Sequence, residues 1–278
     1  MKYAFNTWCY SSFPVWVPAY PIEEVIKRLS QIGYDGIEIG CAAPHAWPYY
    51  LSAEKRKEIK ELLDKNNIKA SSMLPAPGGG PGANPASSII EERKWTVQHY
   101  KDVVDLASDL GTPTVLYVAG WVIYGTSQKD AWKYSLESLT EIAEHAKSRN
   151  ITICVEPTSA DSNLVQTADD ALIMMEQTGL PNVKVMFDTF HVLYRNEVPS
   201  DYVYTMGKNL KHIHLSDYNR LAPGQGGMDF LPVMQALKDI DFDGYVTMEV
   251  GFASRSSHPD SIARLSLEYL KGLEKQLK

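Results

Sequence analysis

The chain has 278 residues, of which 44% are hydrophobic and 22% are charged, a composition typical of globular proteins and not of disordered ones. Its 27 Lys and Arg against 34 Asp and Glu give a formal net charge of −7 at pH 7. This charge opposes contact with the phosphate backbone of nucleic acid or with an anionic membrane, so we expect neither as a partner.

Short apolar or β-branched runs alternate along the chain with longer segments of helical periodicity. Eight strands are predicted, each followed by a helix, at residues 3–7, 36–39, 68–73, 114–118, 151–156, 183–188, 212–215 and 245–250. Such alternation predicts repeated βα units and a parallel sheet. An open doubly wound sheet is disfavoured, because no GxGxxG motif opens a helix after the first strand. The sequence therefore predicts an α/β fold, a single (β/α)8 TIM barrel that forms one domain over residues 1–278.

The helix before the fifth strand has the clearest pattern. Its apolar face is formed by residues with helical spacing, namely Leu136, Leu139, Ile142, Ala143 and Ala146. Ser127 and Asp130 are spaced like a capping box at its start. We expect this helix to end near Arg149 and Asn150.

The cysteines and the first residues of the chain favour a cytoplasmic protein. Cys9, Cys41 and Cys154 form no CxxC pair, and an odd number of cysteines cannot all be paired within one chain. Residues 1–8 lack the long apolar stretch of a secretory signal peptide. No run reaches the roughly 18 apolar residues that a membrane-spanning helix needs. We therefore expect a protein of the reducing cytoplasm.

Four consecutive predicted strands end in side chains that can bind a metal ion. Glu156 and Asp188 each close an apolar run, His214 lies in the seventh strand, and Glu249 lies near the end of the eighth. Because the carboxyl ends of the strands meet at one mouth of a barrel, these side chains should lie close together. Any one of them alone would more often be a helix cap or a loop hydrogen-bonding group. Four in consecutive strands are hard to explain in that way.

The composition of this set indicates which metal it would bind. Three carboxylates held close together repel one another and raise their own pKa values unless a cation neutralises them. Three carboxylates and one imidazole suit Mn²⁺, with Mg²⁺ or Co²⁺ as alternatives, and do not suit a thiolate zinc site. We therefore expect one divalent metal ion, Mn²⁺ in the first place.

The residues around this set resemble a known family, the xylose-isomerase-like TIM-barrel sugar isomerases and epimerases. Within it, the chain is most similar to the branch of D-tagatose 3-epimerase and fructoselysine 3-epimerase. The resemblance extends over the whole chain. It is carried by Gly-Tyr-Asp-Gly-Ile-Glu-Ile at 33–39, Pro-His-Ala at 44–46, Glu-Pro at 156–157, Ser-Asn at 162–163, Asp-Thr-Phe-His at 188–191, His-Ile-His at 212–214 and Pro-Gly-Gln-Gly at 223–226.

Membership of this family implies roles for the four metal-binding candidates. Glu156, Asp188, His214 and Glu249 would bind the metal. Glu156 and Glu249 would in addition face each other across the substrate as an acid/base pair. Such membership also implies that the protein forms homodimers or homotetramers.

Four further residues are candidates for contact with the substrate. The resemblance implies contacts from His191 and Arg220. It also draws attention to the loop after Glu156, where the family usually has a second glutamate and this chain has Ser162. If one residue is deleted there, Asp161 takes the place of that glutamate. His45 follows the second strand and is placed to line the mouth. His212 lies one layer deeper than His214 and is expected to be a packed interior histidine.

The predicted reaction follows from the metal and the two glutamates. The metal polarises a substrate carbonyl, one glutamate removes the proton on the neighbouring carbon, and the other returns a proton. Return to the opposite face epimerises that carbon, whereas return to the former carbonyl carbon interconverts ketose and aldose. We therefore predict a metal-dependent sugar epimerase or isomerase, with 3-epimerisation of a ketose first.

Several alternatives stay open at this point. They are an aldose–ketose or hydroxypyruvate-type isomerase, and a lyase or dehydratase acting on a keto-sugar or keto-inositol. An endonuclease IV-like nuclease would need histidines at the ends of the third and fourth strands, where the chain has Ser-Met-Leu and Val-Ala-Gly. A non-catalytic sugar-binding barrel ranks last, because both proton-transfer carboxylates are present. A phosphorylated sugar is allowed by Gly226–Gly227 and residues 255–257, where barrels often bind phosphate.

Overall fold

The computed structural model describes residues 1–11, 18–76, 82–251 and 257–278. Eight parallel strands pair in chain order, and the eighth pairs with the first to close a barrel. The strands are β1 (Lys2–Asn6), β2 (Gly36–Cys41), β3 (Lys69–Pro75), β4 (Thr114–Val118), β5 (Thr152–Glu156), β6 (Val183–Asp188), β7 (Leu210–Leu215) and β8 (Tyr245–Met248). The helices are α1 (Ile22–Ile32), α2 (Ala53–Lys65), α3 (Ile90–Leu110), α4 (Gln128–Lys147), α5 (Ala168–Thr178), α6 (Thr189–Tyr194), α7 (Pro199–Met206), α8 (Leu231–Asp239) and α9 (Pro259–Glu274). The predicted (β/α)8 TIM barrel is therefore confirmed.

The strand bounds agree with the prediction at both ends for β4 and β6, and differ by one or two residues elsewhere. β1 ends at Asn6 because a 3-10 turn, Thr7–Tyr10, begins there. The Asn6 side chain accepts a hydrogen bond from the Trp8 N–H at 2.8 Å, which turns the chain out of the strand. β8 ends at Met248, so Glu249 lies directly after the strand.

Helix α4 forms where its pattern predicts it. The Ser127 hydroxyl accepts a hydrogen bond from the Asp130 N–H at 3.0 Å, which caps the helix N-terminus. The predicted apolar face is buried against the barrel, with Leu136 partly buried. The helix ends at Lys147, two residues before Arg149.

Two sets of side chains fill the barrel interior beneath the mouth. The apolar cluster consists of Leu74, Leu116, Cys154 and Met186, with Trp8 packed against it. The polar cluster consists of Asn6, Glu38, Ser72 and His212, all with a relative exposure of 0%. Because side chains along a strand alternate between its two faces, Glu156 and Asp188 point to the same side as Cys154 and Met186. These two carboxylates therefore lie at the mouth, directly above apolar side chains.

Within the described ranges, no helix is both long and apolar enough to cross a membrane.

Candidate metal centre

The structure brings the four predicted metal ligands together. Glu156 ends β5, Asp188 ends β6, His214 is the last residue but one of β7, and Glu249 follows β8. His214 Nδ1 lies 3.8 Å from Glu156 Oε1 and 3.3 Å from Glu249 Oε2. Ligand atoms of Asp188, His214 and Glu249 all lie within 4.8 Å of one another, and those of Glu156 and Asp188 are equally close. Asp188 and His214 are fully buried, and the Glu249 side chain is 19% exposed.

The carboxylates of this centre differ in their electrostatic surroundings. Burial raises the pKa of Glu156 well above its usual value, and Glu249 and Asp188 act in the same direction. Burial also raises the pKa of Asp188, to about 7. Burial opposes ionisation of Glu249 too, but Arg220 and His214 hold the pKa of this carboxyl well below its usual range. A divalent cation would stabilise the ionised form of all three carboxylates.

The orientation of His214 fits a metal ligand. Its Nε2 lies 2.8 Å from Glu38 Oε1, inside the barrel. Its Nδ1 is buried and has no hydrogen-bond partner, although it faces Glu156 and Glu249. Nδ1 is therefore the nitrogen that can donate its lone pair to a metal. One imidazole and three carboxylates form a donor set that suits Mn²⁺ or Mg²⁺.

Arg220, a predicted substrate contact, lies beside the candidate metal ligands. It belongs to the loop after β7, where Asn219 and Arg220 have left-handed φ values of 58° and 62°. Its Nη1 donates hydrogen bonds to both Asp188 Oδ2 and Glu249 Oε2. The guanidinium also stacks on the Phe190 ring, 4.2 Å from the ring centroid. Arg220 thus contacts two of the four predicted ligands.

His191 presents an N–H group to the same centre. It is buried, and its Nδ1 accepts a hydrogen bond from the Ala160 N–H at 3.2 Å, so the ring proton lies on Nε2. Burial lowers the pKa of His191 to about 3, which keeps the imidazole neutral at pH 7. A ring nitrogen lies within 4.8 Å of ligand atoms of Glu156 and Asp188. Asp161 lies at the rim, 66% exposed, with Oδ2 3.6 Å from His191 Nε2.

His45 and Gly226, which the sequence suggested for substrate and phosphate binding, make hydrogen bonds elsewhere in the structure. His45 is buried, and its Nε2 is 3.0 Å from the Tyr20 carbonyl oxygen, so its hydrogen bond joins the loop after β1 and not the four ligands. The Gly226 N–H donates to Asp217 Oδ2 at 2.8 Å, so it is already used within the loop. Residues 255 and 256 lie outside the described residues.

Sequence reasoning missed a role for Glu38. This carboxylate is fully buried inside the barrel, where its oxygens lie 2.8 Å from His212 Nε2 and 2.8 Å from His214 Nε2. Burial opposes ionisation, but the two histidines hold the pKa of Glu38 below its usual range. The sequence did contain a signal for this role: Glu38 is the single charged residue of an otherwise uncharged strand. A charged residue in that position needs buried partners.

Comparisons with known proteins identify the family of this chain. A family model described as the xylose isomerase-like TIM barrel matches residues 26–273. The chain is 28% identical to fructoselysine 3-epimerase of Shigella flexneri over 259 residues, which covers 91% of this chain and 93% of that protein. It is 31% identical to D-psicose 3-epimerase of Ruminiclostridium cellulolyticum, covering 81% and 76% respectively. A solved structure of D-psicose 3-epimerase with D-tagatose from Clostridium cellulolyticum is 24% identical, with a TM-score of 0.83 over 99% of both chains. The chain therefore belongs to the xylose isomerase-like TIM barrel family.

Proposed function

We propose that this chain is a metal-dependent carbohydrate epimerase that inverts carbon 3 of a ketose or ketose derivative. The observation that carries the proposal is the pair of glutamates beside His214, one from β5 and one after β8, within 3.8 and 3.3 Å of the same imidazole nitrogen. Two relatives, fructoselysine 3-epimerase and D-psicose 3-epimerase, are named for 3-epimerisation, and a more distant one is named 3-dehydro-D-guloside 4-epimerase.

The metal would be held by Glu156, Asp188, His214 and Glu249. Mn²⁺ is our first choice, and Mg²⁺ or Co²⁺ would suit the same oxygen-rich donor set. When bound, the metal supplies polarisation of the substrate carbonyl and stabilises negative charge on its oxygen.

The two glutamates would divide the two proton transfers between them. Arg220 and His214 favour the ionised form of Glu249, so we assign Glu249 as the base that takes the proton from carbon 3. The electron pair of that C–H bond moves toward the carbonyl and gives an enediolate. Glu156 enters this direction of the reaction protonated and donates its proton to the opposite face of carbon 3. In the reverse reaction the roles are exchanged.

Other residues of the chain would bind and orient the sugar. His191 offers its Nε2–H from a buried, neutral ring, and Arg220 offers the guanidinium N–H groups of a side chain that already reaches the centre. Asp161 at the rim would accept a hydrogen bond from a sugar hydroxyl. Each of these groups fits a hydroxyl or carbonyl oxygen of a sugar.

The proposal is tested by exchange of deuterium from solvent. The Mn²⁺-loaded protein is incubated in D₂O with a panel of ketoses, and the label is followed by NMR. The expected result is deuterium at carbon 3 together with the 3-epimer. Label at carbon 1 with an aldose product would reassign the enzyme as an aldose–ketose isomerase, and loss of a substituent would reassign it as a lyase. Absence of exchange next to every carbonyl tested would refute the enolisation mechanism.

We also propose that the enzyme is cytoplasmic and forms a homodimer or homotetramer. The three cysteines are buried and free of disulfides, which suits a reducing compartment. Light scattering coupled to size-exclusion chromatography measures the assembly state, and a monomer at micromolar concentration would contradict this part of the proposal.

A further inference from the structure

We propose that Glu38 is a positioning residue of the metal centre, which fixes the proton of His214 on Nε2 and so directs Nδ1 toward the metal. The inference rests on the proposed metal site but not on the identity of the sugar. It also extends to Glu249, through the side chain of Asn6.

The Glu38 carboxylate makes hydrogen bonds with three side chains and lies beside a fourth. Oε1 accepts from Asn6 Nδ2 at 2.6 Å. Oε2 accepts from Ser72 Oγ at 2.6 Å and is hydrogen-bonded to His214 Nε2 at 3.0 Å, and it lies 2.8 Å from His212 Nε2. The group is fully buried, so no solvent competes for these positions. A buried carboxylate with hydrogen-bond partners on both oxygens is held in a single orientation.

This arrangement determines how His214 is presented. An ionised carboxylate can only accept a hydrogen bond, so the nitrogen that faces Glu38 must carry a proton. The other nitrogen, Nδ1, has no hydrogen-bond partner and faces Glu156 and Glu249. Carboxylates that hold the distal N–H of a metal-binding histidine fix its ring and raise its basicity.

The same network reaches a second ligand. Asn6 Nδ2 lies 2.6 Å from Glu38 Oε1 and 3.4 Å from Glu249 Oε1, so one amide group joins the two carboxylates. The Asn6 amide is itself fixed, because its Oδ1 accepts from the Trp8 N–H at 2.8 Å. Glu38 is thereby linked to ligands from both β7 and the end of β8.

Glu38, His212 and His214 also offer three ligand atoms that lie within 4.8 Å of one another, close enough for a metal site of their own. The hydrogen bonds argue against that alternative. Each Glu38 oxygen already accepts a short bond from an uncharged side chain, Oε1 from Asn6 and Oε2 from Ser72. A metal at this position would displace those donors inside a fully buried region. We therefore expect one metal ion per chain and not two.

The decisive variant is Glu38→Gln, which keeps the shape of the side chain but replaces one acceptor oxygen by an NH₂ group. The measurement is the Kd for Mn²⁺, obtained from the electron paramagnetic resonance signal of free Mn²⁺. We expect Kd to rise about 10- to 100-fold, the usual effect of removing such a partner. Asp229→Asn is the matched control, because it makes the same carboxylate-to-amide change at an exposed side chain that accepts from the Leu231 N–H, away from Glu38. Its Kd should stay within about threefold of the parent, since no partner of His214 is lost.

A second measurement does not depend on any variant. In the parent protein loaded with diamagnetic Mg²⁺, ¹⁵N NMR should show the His214 proton on Nε2. A proton on Nδ1, an unchanged Kd in folded Glu38→Gln, or two Mn²⁺ ions bound per chain would each overturn the inference. If the parent binds Mn²⁺ and epimerises a ketose but one of these three contrary results is found, only the role of Glu38 is refuted. If the parent binds no metal, the proposed function fails with it.

Discussion

Asp217 organises the loop that carries Arg220, and replacing it tests how that loop is held. The Asp217 carboxylate is fully buried and accepts four backbone hydrogen bonds. Oδ1 accepts from the N–H groups of Tyr218 and Met228, each at 2.9 Å. Oδ2 accepts from those of Gly224 and Gly226, at 3.1 and 2.8 Å. One side chain therefore connects both ends of the segment between β7 and α8.

The substitution Asp217→Asn leaves one oxygen and turns the other into an NH₂ group. Two of the four backbone N–H groups then face a donor and lose their partner. A hydrogen bond to a charged group contributes about 1.5–3 kcal/mol, so two of them account for at least about 3 kcal/mol. We expect the free energy of unfolding to fall by that amount. The loop can relax little, because a side-chain atom added at Gly226 would lie 2.5 Å from Asp217 Oδ1.

Three measurements follow the effect of Asp217→Asn. Urea unfolding measures the free energy change, and hydrogen exchange measures the opening of the loop between β7 and α8. Steady-state kinetics should show a raised KM, because the loop carries Arg220. The matched control is Asp229→Asn, where an exposed carboxylate accepts a single bond from the Leu231 N–H at 3.0 Å. The reasoning would be refuted if Asp217→Asn lowered the free energy of unfolding by less than about 0.5 kcal/mol, the range of ordinary surface changes, and left hydrogen exchange of the loop unchanged.

Three further substitutions test the site and its walls. Glu249→Gln should lower turnover by about 10²- to 10⁴-fold while the melting temperature stays close to that of the parent; a variant near full rate would remove Glu249 from catalysis. Arg220→Gln should raise KM for the sugar without weakening Mn²⁺ binding, because it removes a positive charge beside the ligands; a weaker metal affinity measured by titration would contradict this. Gly40→Ala would place a Cβ 1.6 Å from Trp8 Nε1 and should destabilise the protein by about 1–3 kcal/mol in urea unfolding. Gly272→Ala, in α9 with open space around it, is the control and should be neutral or slightly stabilising.

The barrel and the convergence of the four candidate ligands were predictable because their signals are local. β5 and β6 are apolar runs that end in a carboxylate, and both were placed to within one residue. Once eight parallel strands close into a barrel, their carboxyl ends must share one mouth. The convergence of Glu156 and Asp188 with His214 then follows from topology alone, without knowledge of side-chain packing.

The contacts of Glu38 and Arg220 were not predictable, because their partners are distant in sequence. Glu38 depends on side chains from three other strands, and its contact with His214 spans 176 residues. Arg220 reaches Asp188 through two consecutive residues in the left-handed backbone region, which the sequence does not specify. For His45, position after β2 indicated the mouth, yet its ring turns to the Tyr20 carbonyl.

The two interior clusters of the barrel differ in how well they tolerate substitutions, which matters for laboratory evolution. The apolar cluster of Leu74, Leu116, Cys154 and Met186 can change in volume without altering a charge, at a cost set by packing alone. Every member of the polar cluster other than Glu38 supplies a hydrogen bond or ion pair to that carboxylate, so a change there leaves a buried group without a partner. Variant libraries aimed at other sugars should therefore diversify Leu74, Leu116, Cys154 and Met186, and keep Asn6, Glu38, Ser72 and His212 as one unit.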